Sequence, residues 1–171
     1  MAFWKKATLI VFAFASSFIW YAVLTRPDGL LAVSFFNVGQ GDAIFIETPS
    51  GNQVLIDGGP GRKILTELSG VMPVYDKSVD LVVSTHTDFD HLAGLVEVLK
   101  RYDVGMVLES GFVADTKIYK EWEKLLVDKK IPRRIVRAGE RIVLDRDSVL
   151  NILGPVPEDF TPPSDKANEV M

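Results

Sequence analysis

The sequence predicts an α/β domain preceded by an apolar N-terminal segment. Short apolar runs such as Leu81–Ser84 have the length and composition of strands buried on both faces. They alternate with segments whose apolar residues recur at helical spacing, as in Leu92–Tyr102. Strands and helices that alternate in this way are typical of a layered α/β architecture. A chain of 171 residues, of which 47% are hydrophobic, suits a single globular domain.

Turn residues mark the limits of the individual elements. The glycine turn Val38–Asp42 separates the first two strands, and Pro49–Asn52 has the composition of a β-turn, so the third strand returns as a hairpin partner. Gly70 closes the first helix of the domain, and Asp115 is a candidate N-cap of the last. The predicted strands are Leu30–Asn37, Ala43–Thr48, Gln53–Ile56, Leu81–Ser84, Met106–Leu108, Arg134–Arg137, Arg141–Leu144 and Val149–Leu153, and the predicted helices are Arg62–Ser69, Leu92–Tyr102 and one with the apolar stripe Ile118, Trp122, Leu125 and Leu126.

The N-terminal segment differs in kind from the rest of the chain. Ala7–Leu24 contains no charged residue. At about 1.5 Å of rise per residue, a helix of this length just crosses a hydrocarbon core of about 30 Å. We therefore predict a transmembrane anchor over residues 1–25 and a globular domain over residues 26–171. The alternatives are a signal peptide cleaved after Ala15, which follows the small-x-small rule, and a buried core helix.

The charges that flank this segment bear on its orientation. Lys5 and Lys6 precede the apolar run, and Arg26 follows it. An excess of basic residues marks the cytoplasmic side of a membrane helix. The sequence thus predicts a single-pass protein of the cytoplasmic membrane whose domain is extracytoplasmic.

Composition excludes several kinds of site. The chain has no cysteine, which excludes disulfides and thiolate zinc sites. Its net charge of −4 argues against a general nucleic-acid-binding domain, so any contact with DNA needs a local basic patch. The run Lys129–Arg141, "KKIPRRIVRAGER", is a candidate for such a patch, and the alternative is a solvated edge.

The two histidines of the chain lie in one short stretch, "STHTDFDHLAG". His86 and Asp88 follow a predicted buried strand, and Asp90 and His91 begin the next predicted helix. Imidazole and carboxylate groups that converge are ligands for divalent metals. This spacing can supply two metals, with one pair of donors on each. The alternative is that Asp90 is an N-cap, His91 an ordinary first-turn residue and Asp88 solvated.

The same stretch resembles the His-x-His-x-Asp-His motif of the metallo-β-lactamase superfamily, with Asp88 in place of the second histidine. This substitution, together with "FFNVGQGDAIFIETPSGNQVLIDGG" (Phe35–Gly59), is similar to the branch that contains the hydrolase domain of the DNA-uptake protein ComEC/Rec2. The resemblance runs from about Leu31 to the end of the chain. One apolar segment is not the multi-span channel of an uptake protein, so the chain resembles a stand-alone, membrane-anchored relative.

The resemblance implies a fold, a cofactor and roles for individual residues. The fold is an αββα sandwich with a dinuclear metal site at one edge. His86 and Asp88 would face the first metal, and Asp90 and His91 the second. Asp57 would orient a ligand through a hydrogen bond, the alternative being a turn-forming residue before two glycines. Zinc is the default metal, and the carboxylate of Asp88 makes manganese or iron more favourable.

The implied activity is hydrolysis of phosphodiester bonds by a hydroxide held between the two metals, with Asp90 as the catalytic residue that holds it in line. Single- or double-stranded DNA is the implied partner. The family's further ligands, a Gly-Asp pair and a histidine-rich segment, have no counterpart here, so we expect mainly the N-terminal half of the sandwich and an incomplete C-terminus. The alternative function is a catalytically silent, membrane-tethered binding module of the same fold.

Overall fold

The computed structural model describes residues 2–24 and 29–156. The boundary predicted between residues 25 and 26, and the part of the predicted domain beyond residue 156, lie outside the described residues. The helices are α1 (Ala2–Leu24), α2 (Lys63–Val71), α3 (Phe89–Arg101) and α4 (Lys117–Asp128), and the strands are β1 (Ala32–Phe35), β2 (Ile44–Glu47), β3 (Gln53–Ile56), β4 (Ser78–Ser84), β5 (Asp103–Glu109), β6 (Arg133–Ile135), β7 (Arg141–Val143) and β8 (Val149–Asn151).

A mixed six-stranded sheet forms the centre of the domain. Its strand order follows the chain, from β1 to β6. The first three strands pair in antiparallel fashion, and β3 to β6 pair in parallel. Helices α2, α3 and α4 connect the parallel strands, as parallel pairing requires. The predicted α/β class is confirmed.

The main core lies between one face of this sheet and the three helices that follow β3. Phe45, Leu55, Val82 and Val107 point from successive strands into this core. They meet fully buried side chains of the helices, among them Ile64, Leu68, Leu92, Leu95, Leu99 and Trp122. Every one of these positions is apolar because the three helices cover this face of the sheet.

The opposite face of the sheet is covered over part of its width by the hairpin of β7 and β8. Val54, Leu81, Val83 and Leu108 pack there with Ile152. The first strand lies beyond this cover, and Phe35, whose partner on the same face is Ile44, is 78% exposed. The sheet therefore has one complete apolar face and one that is partly open.

The N-terminal helix α1 carries exposed apolar side chains, including Phe12 and Trp20. Phe18 and Tyr21 contact Tyr75 edge-to-face, with ring centroids 6.1 and 6.0 Å away. This exposure is inconsistent with the alternative of a buried core helix. Across residues 2–24 and 29–156, no helix combines the length and the apolar character needed to cross a membrane. The predicted transmembrane anchor is therefore unsupported.

Several element bounds differ from the sequence-based ones for local reasons. Helix α2 continues through Gly70 to Val71, because the glycine keeps ordinary helical geometry instead of ending the helix. The N-cap of α4 is Thr116, whose hydroxyl accepts from the Tyr119 N–H, and not Asp115. Helix α3 begins at Phe89, three residues earlier than predicted. Strands β7 and β8 form a separate two-stranded sheet.

Candidate metal centre

The site is built at the carboxyl ends of β3 and β4, which are adjacent parallel strands with Ile56 opposite Val83. Asp57 follows β3 directly, and its backbone N–H donates to the Val83 carbonyl over 2.9 Å. Asp57 has a φ of 56°, a left-handed conformation uncommon for a residue with a side chain. This conformation turns the chain at the strand end, where the carboxylate is almost completely buried.

The Asp57 carboxylate holds the first residue after β4. The backbone N–H of Thr85 donates to Asp57 Oδ1 over 2.9 Å, and the Thr85 hydroxyl donates to Oδ2 over 2.5 Å. Two bonds from one residue to one carboxylate define the direction in which the chain leaves β4. The next residue, His86, is thereby placed next to Asp57.

His91 reaches the same carboxylate from helix α3. Its Nδ1 lies 3.0 Å from Asp57 Oδ2. An ionised carboxylate can only accept, so Nδ1 carries the hydrogen, and in the neutral ring Nε2 then keeps its lone pair. A histidine whose Nδ1–H is held by a carboxylate is oriented to bind metal through Nε2.

His86 lies against His91, with ring centroids 3.9 Å apart. Its Nδ1 is 2.8 Å from the Thr85 hydroxyl oxygen, and its Nε2 is 3.7 Å from Asp88 Oδ2. Two ligand atoms about 2.1 Å from one tetrahedral zinc ion are roughly 3.4 Å apart. The spacing of His86 Nε2 and Asp88 Oδ2 therefore fits a shared cation.

The donor groups of Asp57, His86 and His91 form one compact cluster, in which one ligand atom of each lies within 4.8 Å of the others. Asp57 belongs to this cluster, but its oxygens already accept from Thr85 and His91. Its acceptor capacity suits it to orient the imidazoles. The cation would be held by the free imidazole nitrogens of His86 and His91, and Asp88 Oδ2 lies beside the first of them, 3.7 Å from His86 Nε2.

The remaining predicted donor, Asp90, lies in the first turn of α3. Its Oδ2 accepts from Gln40 Nε2 over 3.4 Å, so the glycine-rich "VGQGD" loop contacts it. The predicted alternative role of Asp90 as N-cap is wrong, because the N-cap of α3 is Asp88, whose side chain makes no capping bond. The structure thus brings Asp57, His86 and His91 together, places Asp88 Oδ2 3.7 Å from His86 Nε2, and places Asp90 in contact with Gln40.

Close backbone contacts at glycines hold the three loops of the site together. A Cβ on Gly94 would lie 1.8 Å from the Gly58 carbonyl oxygen, and one on Gly41 would lie 1.8 Å from the Asp90 carbonyl oxygen. The Gly58 N–H donates to the His91 carbonyl and the Gly94 N–H to the Gly59 carbonyl, over 2.9 and 2.8 Å. Helix α3 is therefore fixed directly against the loop that carries Asp57.

Sequence reasoning missed two residues of this arrangement, Thr85 and Gln40. Thr85 precedes the first histidine, and a hydroxyl residue next to a metal motif is a usable signal for a hydrogen bond to a ligand. Gln40 sits between two glycines of a turn, and nothing in the sequence indicates that its side chain reaches Asp90.

At least two of the six cations in the basic run Lys129–Arg141 form ion pairs. Arg133 pairs with Glu123 and Glu109, and Arg134 pairs with Glu140. At Arg133 and Arg134 these ion pairs agree with the solvated-edge interpretation, and the nucleic-acid path stays a prediction.

A comparison with protein families assigns the chain to one of them. The family model described as "Metallo-beta-lactamase superfamily" matches residues 36–164. The chain belongs to the metallo-beta-lactamase superfamily. No curated protein matches it. A solved structure titled "Metal soaked Flv1 flavodiiron core from Synechocystis sp. PCC6803" is similar, with 16% identity and a TM-score of 0.45 over 64% of this chain and 26% of that chain. This chain therefore spans about a quarter of that relative.

Proposed function

We propose that this superfamily member is a metal-dependent hydrolase that acts on phosphodiester bonds, those of DNA being the favoured substrate. The observation that carries the hydrolase class is the convergence of Asp57, His86 and His91 at the carboxyl ends of two parallel strands, in a chain of this superfamily. The preference for phosphodiesters, and for a ComEC-like branch, rests on the sequence resemblance of the "VGQGD" and "HTDFDH" motifs.

The residues divide the work by the contacts they make. His86 and His91 offer Nε2, and Asp88 offers a carboxylate oxygen 3.7 Å from His86 Nε2. A second cation would draw on Asp90, as the motif implies. Divalent metals bound here, zinc by default and manganese or iron as alternatives, would acidify a water molecule and polarise the phosphoryl oxygen. The Asp90 carboxylate, held by Gln40, would orient the attacking water and accept its hydrogen bond.

The test begins with the purified full chain. Metal content is measured after dialysis against Zn²⁺ or Mn²⁺, and hydrolysis is followed with bis(p-nitrophenyl) phosphate and with linear DNA. We expect metal-dependent release of p-nitrophenol that is lost in His86→Ala and His91→Ala together with bound metal. Asp90→Ala should abolish turnover, whereas the matched control Asp115→Ala, at an exposed carboxylate, should not. Unchanged cleavage by Asp90→Ala would reject the role given to that residue.

The second candidate function is a catalytically silent binding module of the same fold. The small number of converging donors favours this candidate. Among the described residues, the cluster of three donors is the one formed by Asp57, His86 and His91. Stoichiometric metal binding with no turnover of phosphodiesters, carboxylic esters or lactams would support the module and contradict the hydrolase.

The location of the protein stays a prediction from the sequence, as does DNA as its partner. Protection or accessibility of a tag placed after Met171 in intact cells tests whether the domain is extracytoplasmic. Retention of labelled single- and double-stranded DNA by the wild-type chain, measured over a range of salt concentrations, tests the partner.

A further inference from the structure

We propose that the Thr85 hydroxyl is a positioning group that fixes the tautomer and orientation of His86, and that through it the single carboxylate of Asp57 prepares both imidazoles for metal. The proposal rests on the proposed metal site. It assigns a role to a residue outside the His/Asp motif and concerns this chain's own hydrogen bonds.

The direction of each bond follows from the chemistry of the groups. An ionised Asp57 Oδ2 can only accept, so the Thr85 hydroxyl, 2.5 Å away, donates its one hydrogen to that carboxylate. The same hydroxyl oxygen lies 2.8 Å from His86 Nδ1. With its hydrogen already used, the oxygen can only accept from the ring. The neutral ring of His86 therefore carries its hydrogen on Nδ1 and presents the Nε2 lone pair.

His91 reaches the same state without an intermediary, because its Nδ1 lies 3.0 Å from Asp57 Oδ2. One oxygen atom of Asp57 thus sets both rings, His91 directly and His86 through Thr85. The Thr85 hydroxyl connects the Asp57 carboxylate to the ring of His86, the second residue after β4. His91 belongs to helix α3 and contacts the carboxylate directly.

Because the Thr85 side chain is exposed, its role in orienting His86 can be tested without disturbing the core. The Thr85 side chain is exposed, so its isosteric replacement by valine leaves the apolar core intact. The backbone bond from the Thr85 N–H to Asp57 Oδ1 does not depend on the side chain and survives the replacement. Thr85→Val therefore removes the hydroxyl bridge while the strand end stays fixed, and Thr85→Ser restores the hydroxyl.

The experiment is ¹⁵N NMR of the imidazole nitrogens in the metal-free full chain, at a pH of about 8, above the usual range of imidazole titration. The chain has two histidines, so two ring systems are observed, and His91 is the internal reference. We expect both rings of the wild type to be protonated on Nδ1. In Thr85→Val, His86 should shift to a mixture of tautomers while His91 stays unchanged, and Thr85→Ser should match the wild type.

The second readout is metal affinity by competition with a chromogenic chelator. Removing a group that orients a metal ligand lowers affinity by about 10–100-fold. We expect a loss in that range for Thr85→Val and recovery in Thr85→Ser.

The two readouts keep failures apart. A wild-type His86 protonated on Nε2, or an unchanged His86 tautomer in Thr85→Val, overturns the proposal whether or not the protein hydrolyses anything. The expected tautomers in a chain that binds no metal would instead contradict the proposed function and leave the hydrogen-bond chain established. Equal metal affinity in Thr85→Val and wild type, with the tautomer changed, overturns the proposed importance of the bridge for binding.

Discussion

Replacing Gly94 by alanine should destabilise the protein severely, although alanine is the better helix former. Gly94 lies inside α3, and a Cβ there would sit 1.8 Å from the Gly58 carbonyl oxygen, a distance at which something must shift. The helix cannot move freely, because five of its apolar side chains, Leu92, Leu95, Val96, Val98 and Leu99, are fully or almost fully buried.

The magnitude follows from the contacts that a shift would break. Overpacking of this kind costs about 1–3 kcal/mol. A shift of α3 away from the loop also weakens the bonds from Gly94 N–H to Gly59 and from Gly58 N–H to His91. Each backbone bond contributes about 1 kcal/mol. We expect Gly94→Ala to lower the free energy of unfolding by about 1–3 kcal/mol from overpacking and by up to about 2 kcal/mol more from the two bonds, a large part of the usual total of about 5–15 kcal/mol.

The measurement is urea unfolding followed by far-UV circular dichroism, with Gly70→Ala as the matched control. Gly70 also lies in a helix, α2, and a Cβ there meets nothing within 4 Å. The control should be stabilised by up to about 1 kcal/mol from helix propensity alone. Equal unfolding midpoints for the two variants would refute the claim that the Gly58–Gly94 contact fixes α3, and with it the account of how His91 is placed.

Two further predictions concern carboxylates whose pKa is lowered. A hydrogen bond from Lys100, and then one from Arg101, hold the pKa of Glu97 below its usual value, so its stabilisation is present at neutral pH and lost as pH falls through the carboxylate range. Glu97→Gln should therefore cost about 1 kcal/mol at pH 7, and the difference from wild type should vanish in acid. Hydrogen bonds, first from the Thr48 side chain and then from the Asp147 backbone, lower the pKa of Asp145. Thermal unfolding should show that Asp145→Asn is less stable than wild type at neutral pH, and the difference in stability should disappear in acid. A difference that does not change with pH would contradict the lowered pKa of Asp145.

Much of the fold was accessible from sequence because its signals are local. The apolar run around Leu81–Ser84 and the helical periodicity of Leu92–Tyr102 both report burial on a covered sheet, and both elements are present in the structure. The pairing of β7 with β8 in a separate sheet could not be predicted from the sequence. Three-residue strands carry no information about which partner they join, since that depends on the space left by distant elements.

The site was accessible in part for the same reason. The histidines and aspartates of residues 86–91 are recognisable in the sequence by residue type and spacing. The roles of Thr85 and Gln40 depend on partners 28 and 50 residues away. The parallel register of β3 and β4 decides that Thr85 meets Asp57, and a single sequence does not encode that register visibly. Grouping the donors as separate pairs likewise overlooked the contact between the imidazole rings of His86, which precedes α3, and His91, which lies in its first turn.

The partly exposed face of the central sheet, next to its edge strand β1, affects how the protein behaves in concentrated solution. Phe35 lies on an edge strand, β1, whose outer backbone groups have no neighbouring strand in the described sheet. Apolar side chains on an unprotected edge invite pairing between molecules as concentration rises. Sedimentation velocity across a dilution series tests for this association, and we expect the charged substitution Phe35→Lys to reduce it.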